Sequence, residues 1–280
     1  MTIPSVFTKV DSLQRVLHAR NDNKKIALVP TMGALHHGHM ELVRRAFELA
    51  DLVVVSIFIN PKQFNKEEDL EKYPKMLEKD LELLRKEGDV IVFNPEVSEI
   101  YPKNYEAMKL DLGPIATTME GEFRPGHFDG VVMVVNRLFE IVLPDYALFG
   151  LKDFQQLTVI NKLVKDKNIS VEIIGIETVR ETSGLASSSR NYRLSADQME
   201  DAAVIYKALQ TAKNEAEKSS IAELKLLVEN MIGSSPLELE YFEIVDPLSL
   251  QSIDNWVEKT QACIACICGG VRLIDNIQLT

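Results

Sequence analysis

Residues 52–59, "LVVVSIFI", carry a single polar side chain, Ser56, in an otherwise β-branched and apolar run. Successive side chains of a strand point to opposite faces, so a strand half open to water alternates apolar with polar. A run without alternation needs both faces covered, as in a parallel sheet flanked by helices. Similar runs recur: "KIALVP" (25–30), "VIVFNP" (90–95), "YALFG" (146–150) and "SVEIIGIE" (170–177). Between them lie segments of helical periodicity. From Gly38 to Ala50 the stripe is Leu42, Val43, Ala46, Phe47, Leu49 and Ala50. Leu77, Leu81 and Leu84 mark a second stripe that Gly88 ends. "FDGVVMVVNRLFEIV" is a third helix, and "DFQQLTVINKLVKDK" (153–167), opened by Asp153, a fourth. Strands alternating with helices predict an α/β fold, a doubly wound parallel sheet, whose ligands sit beyond the carboxyl ends of the strands. A longer irregular segment runs up to about Gly126.

After residue 177 the texture changes. "TSGLASSSRNYRLS" is a small-residue loop with two arginines. A helical stretch over 196–218, the helix "IAELKLLVENMIG", the strand "LELEYFEIVDP" and a terminal strand pair joined by Gly269 and Gly270 follow. The expected division is a Rossmann-like unit over 1–177 and a smaller α+β unit over 178–280, in keeping with the 280-residue length. The net charge of −11 argues against a general nucleic-acid or anionic-membrane partner, while leaving room for a local basic pocket. No apolar run reaches the ~20 residues of a membrane span. The opening "MTIPSVFTKVDSLQRV" lacks a signal-peptide pattern, so the expected compartment is the cytoplasm. Cys263, Cys266 and Cys268 in "CIACIC" are an odd set with no histidine nearby. On a strand they divide between two faces, which favours a buried strand over a metal site.

Chemistry gathers at four places. In "PTMGALHHGH", His36 and His39 are three apart, which at a helix start puts both on one face. Gly38 permits close approach, and the helix N-terminus supplies unpaired N–H groups and partial positive charge. Together these suit phosphate. A histidine-rich surface loop and a zinc site are the alternatives, though no further ligand cluster is evident for zinc. "FGLKDFQQL" also follows a strand and opens a helix, so it should reach the same rim. There Lys152 is a flexible point charge suited to phosphate, Asp153 is either a helix cap or part of the site, and Gln156 lies one turn beyond Lys152. "SSSR" (187–190) has the hydroxyls, N–H groups and guanidinium of a movable phosphate clamp, although serine-rich loops often merely link. In "NPKQF", the amides Asn60 and Gln63 follow a buried strand and can read hydroxyls or carboxylates.

The five motifs "PTMGALHHGH", "SIFINPKQF", "RPGHFDGV", "FGLKDFQQL" and "SSSRN", in this order and followed by "RLIDN" near the end, closely resemble the pantoate-β-alanine ligase family. HxGH alone would indicate only the wider nucleotidyltransferase superfamily. The resemblance implies ATP-dependent condensation of (R)-pantoate with β-alanine through a pantoyl adenylate, in a cytoplasmic homodimer. It implies that Met32, Gly33, Ala34, Leu35, His36, His37, Gly38 and His39 line the nucleotide, with His36 and His39 on the phosphates and His39 as proton donor. His37, at the variable position, should point away. It further implies that Gly150, Leu151, Lys152 and Asp153 bind ATP, with Lys152 on phosphate and Asp153 near ribose. Val179 would meet adenine through its backbone, and Ser187, Ser188, Ser189 and Arg190 would close on phosphate. Gln63 and Gln156 would hold pantoate, with Gln63 also near β-alanine and Asn60 among the substrate-binding residues. Mg²⁺ is implied with ATP as co-substrate, and Asp80 as its ligand. The residues after Gln63, including Tyr73, would form a flap. Ser187 departs from the leucine or methionine usual in the family, which matters little if its backbone makes the contact. Two competing readings are an adenylyltransferase moving AMP onto a phosphate and a non-catalytic nucleotide-binding regulator. The amides of "NPKQF" and "FQQL" argue against the first. The presence of His36, His39, Lys152 and Arg190 together argues against the second.

Overall fold

The computed structural model describes residues 4–19, 23–65 and 67–280. The first three residues of the opening stretch, and Lys66 in the expected flap, lie outside the described residues. The described chain forms two compact units. The first comprises the described residues of Met1–Leu112, Arg124–Leu151 and Val159–Glu177; the second comprises Gly113–Phe123, Lys152–Thr158 and Thr178–Thr280. The second unit runs from Thr178 to the last residue and also takes two segments from within 1–177, so a single cut does not describe the chain.

The first unit opens with β1 (Ser5–Phe7) and α1 (Val10–His18), for which no element is expected above, then β2 (Ile26–Thr31), α2 (His37–Leu49) and β3 (Leu52–Ile57). A 3-10 turn at Pro61–Gln63, α3 (Glu67–Glu71), α4 (Leu77–Glu87), β4 (Val90–Phe93) and α5 (Val97–Ile100) follow. The segment Glu120–Phe123 is α6, which precedes α7 (His127–Val142), β5 (Tyr146–Gly150), α8 (Phe154–Lys167) and β6 (Glu172–Ile176). Among the described residues the strands form one parallel sheet in the order β1-β4-β3-β2-β5-β6. The unbroken apolar runs occupy its centre, where Val53, Val54, Val55, Val90 and Val92 are fully buried. On one face, Met40, Val43 and Ala46 of α2 pack with Val29, Val55 and Leu84. From β2 the chain winds outward through β3 and β4, whereas β5 and β6 extend the other side, so β2 and β5 flank the switch point. The turns after both strands leave the same end of the sheet.

The second unit holds α9 (Ala196–Ala202), α10 (Val204–Glu215), α11 (Ile221–Gly233), and the antiparallel strands β7 (Glu238–Val245), β8 (Gln261–Cys268) and β9 (Val271–Gln278). The single helix expected over 196–218 is two, broken at Ala203 with no glycine or proline to announce it. Gly269 (φ +54°) and Gly270 (φ +75°) make the two-residue turn between β8 and β9, a hairpin geometry that needs positive φ at both positions. Cys263, Cys266 and Cys268 are all buried in β8 as free thiols, and no cluster of three or more His, Cys, Asp or Glu side chains able to hold a metal occurs among the described residues. Burial pushes the Cys266 thiol up to about 12, which keeps it protonated and inert.

Candidate active site

The histidines that begin α2 do two jobs. His36 is the N-cap residue, and its Nδ1 accepts from the Gly38 N–H at 3.2 Å. The His39 Nδ1 accepts in return from the His36 N–H at 3.3 Å. This is the reciprocal capping box, with imidazoles in place of the usual hydroxyl and carboxylate. The rings lie 4.0 Å apart between centroids. Because each Nδ1 accepts, each neutral ring carries its proton on Nε2, and the helix start holds two N–H donors in fixed orientation. His37 is exposed on the first turn.

The turn leading to this helix is strained and pinned. Ala34 has φ +50°, a left-handed conformation that costs a non-glycine residue about 1–2 kcal/mol. Its N–H donates to Asp80 Oδ2 at 3.0 Å, and the Leu35 N–H to Asp80 Oδ1 at 2.7 Å. Asp80, on α4, is 1 % exposed. Burial raises its carboxyl pKa, against the opposing pull of the two N–H groups. The Asp80 carboxylate, the expected Mg²⁺ ligand, lies inside the protein and serves the turn between β2 and α2.

The amides of "NPKQF" divide. Asn60 is saturated: Nδ2 donates to Gly130 O at 2.9 Å and Gln63 Oε1 at 3.2 Å, and Oδ1 accepts from Lys62 N–H at 3.2 Å and Tyr101 OH at 2.9 Å. An amide has two donors and two acceptor sites, and all four of those of Asn60, an expected substrate contact, are engaged within the protein. Its work is to hold Gln63. The Gln63 Nε2 donates to Met32 Sδ at 2.9 Å, and its main-chain carbonyl oxygen pairs with His127 Nδ1 at 2.9 Å. Gly130 makes this possible, since a Cβ there would lie 2.3 Å from Lys62 O. His127 of "RPGHFDGV" has no expected role; a lone histidine directly after Pro125 and Gly126, at the start of an apolar helix pattern, is the one signal the sequence holds for it. In the expected flap, the Tyr73 hydroxyl donates to Gly33 O at 3.4 Å and its ring meets Phe64 edge-on.

The second unit carries the other set. The 3-10 turn Leu151–Asp153 precedes α8, and the Asp153 side chain makes no cap; its charged neighbour is Lys152 Nζ at 3.8 Å. The Lys152 side chain is 17 % exposed. Of the two glutamines that follow, Gln155 is buried, accepting from Glu120 N–H at 3.0 Å and donating to Ile115 O and Thr118 O at 2.7 and 2.9 Å. Gln156 is half-buried, with no such partner among the described residues. In "SSSR", the Ser188 Oγ accepts from Arg190 N–H at 3.3 Å, shaping a 3-10 turn over Ser189–Arg193. Ser187 is turned inward. Its N–H donates to Val179 O at 2.9 Å and its hydroxyl to Glu181 Oε1 at 2.6 Å, which leaves the main-chain carbonyl as the backbone group for the expected contact. Lys152, Ser188, Arg190, Asn191, Arg272 and Asp275 line one concavity of this unit.

The sequence profile of pantoate-beta-alanine ligase matches residues 5–278. A pantothenate synthetase of Phocaeicola vulgatus is 49 % identical over 99 % of this chain and 97 % of its own length. That of Christiangramia forsetii is 48 % identical over 95 % and 96 %. Among solved structures, a pantothenate synthetase from Thermus thermophilus superposes with TM-score 0.92 at 39 % identity, covering 98 % of this chain and 99 % of that one. A pantoate-beta-alanine ligase from Francisella tularensis, complexed with beta-gamma ATP and beta-alanine, gives TM-score 0.82 at 35 % identity over 98 % and 97 %.

Proposed function

The chain belongs to the pantoate-β-alanine ligase family, and we propose that it joins (R)-pantoate to β-alanine in two steps through an enzyme-bound pantoyl adenylate. In the first, a pantoate carboxylate oxygen attacks the α-phosphorus of ATP and pyrophosphate leaves. In the second, the β-alanine amine attacks the acyl carbon, the bond to AMP breaks, and the amine gives up a proton. The observation that carries this reading is the capping pair His36 and His39, which presents two oriented Nε2–H donors at a helix N-terminus. Donors fixed before the reaction stabilise negative charge as it grows on phosphate, without reorganising. His39 serves as proton donor. Met32 to Leu35, Gly38, Gly150, Leu151 and Asp153 line the nucleotide. Lys152, Ser188, Ser189 and Arg190 handle its phosphates, and Val179 meets the base. Gln63 and Gln156 hold pantoate through amide hydrogen bonds, which orient an anion without neutralising it.

The family resemblance brings Mg²⁺ in with ATP. Among the described residues no group of three or more His, Cys, Asp or Glu side chains is placed to hold it. An ion arriving with ATP would offset the negative charge of its triphosphate. The enzyme acts in the cytoplasm as a homodimer; sedimentation velocity tests the dimer. No helix among the described residues is long and apolar enough to cross a membrane.

Isotope exchange of pyrophosphate into ATP tests the scheme. Exchange should require pantoate and proceed without β-alanine. A requirement for β-alanine would sink the stepwise order. Exchange without pantoate would favour transfer of AMP to another acceptor.

A further inference from the structure

We propose that Asn276 is a positioning residue for Lys152, and that β9 sets the spacing between the two phosphate-handling cations, Lys152 and Arg190. This rests on the roles proposed above for those cations. The motif "RLIDN" (272–276) lies on β9 and has no part in that scheme. Asn276 is 7 % exposed. Its Nδ2 donates to the Lys152 main-chain carbonyl at 2.8 Å. Its Oδ1 accepts from Gln261 Nε2 on β8 at 2.7 Å, so the amide is oriented from one end to act at the other. Four residues earlier, the main-chain carbonyl of Arg272 accepts from Arg190 Nη1 at 3.0 Å. The Arg272 guanidinium is itself held, by Glu240 through Nε at 2.7 Å and by Glu120 through both Nη atoms at 2.8 and 2.7 Å. Between them, Asp275 grips Arg180 with two bonds of 2.6 and 3.0 Å, at the base of the loop that carries Arg190.

The physical reason for such a device is the flexibility of the side chains it serves. A lysine head on a four-carbon stem acts at a chosen phosphate only if its main chain is fixed. Lys152 sits in a short 3-10 turn, and its charged neighbour, Asp153, is distant at 3.8 Å. The bond from Asn276 locks the peptide plane that follows Lys152. Extended strand rises about 3.3 Å per residue, so positions 272 and 276 act as two marks roughly 13 Å apart on a rigid ruler.

The test is a double-mutant cycle on the full chain. Wild type, Asn276→Ala, Lys152→Ala and the double variant are compared in pantoate-dependent pyrophosphate exchange. Asn276→Ala should lower the exchange rate about tenfold or more, as expected when a reacting group is misplaced. With Lys152 already replaced, its effect should shrink to under about twofold, because the pair acts as one. Asn276→Asp keeps the shape and the acceptor toward Gln261 but lacks the N–H donor. It should reproduce the alanine result, and it serves if alanine impairs folding. Calorimetric titration of inorganic pyrophosphate into the same proteins gives the coupling without turnover. Binding that is coupled in a wild type unable to exchange would overturn the proposed function and leave the positioning role standing. Equal losses with and without Lys152, or a folded Asn276→Asp with wild-type exchange and binding, would overturn the inference.

Discussion

At the scale of single residues, side chains with the same functional group a few positions apart do different work, and hydrogen-bond saturation decides which. Asn60 spends all four of its bonds inside the protein, whereas Gln63 retains donor capacity beyond its contact with Met32. Gln155 ties the segment 115–120, while the neighbouring Gln156 has no such tie. The histidines separate in the same way. His36→Ala and His39→Ala should each lower the exchange rate by ~10²-fold, the cost of losing one oriented donor. His37→Ala, on the exposed side of the turn, should stay within about threefold of wild type. Steady-state exchange kinetics on the three variants, with circular dichroism to confirm α2, would show it. Similar large losses for all three would mean that the helix start had collapsed. The spacing of these histidines was legible in the sequence. Their use of Nδ1 for capping was not, because it depends on ring rotamers that spacing does not specify.

At the scale of elements, two carboxylates far from α2 and α1 in sequence hold those helices' beginnings. Asp80 orders the turn before α2 through Ala34 and Leu35. Replacing it by alanine orphans two buried N–H groups, at ~1–3 kcal/mol each. Asp80→Ala should therefore lower the unfolding free energy by about 2–5 kcal/mol in urea and reduce exchange activity as well. A variant as stable as wild type would show that the turn holds itself. Glu99 does the same for α1, accepting from Val10 N–H at 3.0 Å and Lys9 Nζ at 2.9 Å. The Val10 N–H first, and Lys9 second, hold its carboxyl below the usual range. A carboxylate depressed in the folded state stabilises above its unfolded pKa and loses that effect as pH falls through the folded value. The urea midpoint of Glu99→Gln should thus lie below wild type at neutral pH, and the gap should close below about pH 4. A gap that widened on acidification would contradict the assignment. The stripe of α4 was readable from its leucines, yet the inward turn of Asp80 was not, since an acidic residue in a first helical turn ordinarily faces solvent.

At the scale of the whole molecule, the chain passes more than once from one compact unit to the other. The segments 113–123 and 152–158 count with 178–280, and they supply Glu120, which pairs with Arg272 and accepts from Tyr241 OH at 2.9 Å. A fragment of residues 178–280 alone would keep the Arg272–Glu240 pair but lose Glu120, and leave Tyr241 OH and the Asn276 amide without their acceptors. Breaking up a buried charged and hydrogen-bonded network is destabilising. The isolated fragment should therefore lack a fixed tertiary fold, read as poor dispersion of its amide NMR signals. A well-dispersed spectrum would show that the small unit stands by itself.

The sequence by itself determined the parallel sheet, the strand-to-helix turns that bear the histidines and Lys152, the β8–β9 hairpin and the family, because periodicity, turn glycines and ordered motifs are local properties of the chain. Tertiary structure alone decided that Asn60 and Ser187 are spent internally, that Asp80 serves a turn, and that "RLIDN" reaches Lys152 and Arg190. Those partners lie as far as 124 residues apart for Asn276 and Lys152. A local pattern records which face of an element is apolar; it does not record which distant segment returns to meet a polar group on it.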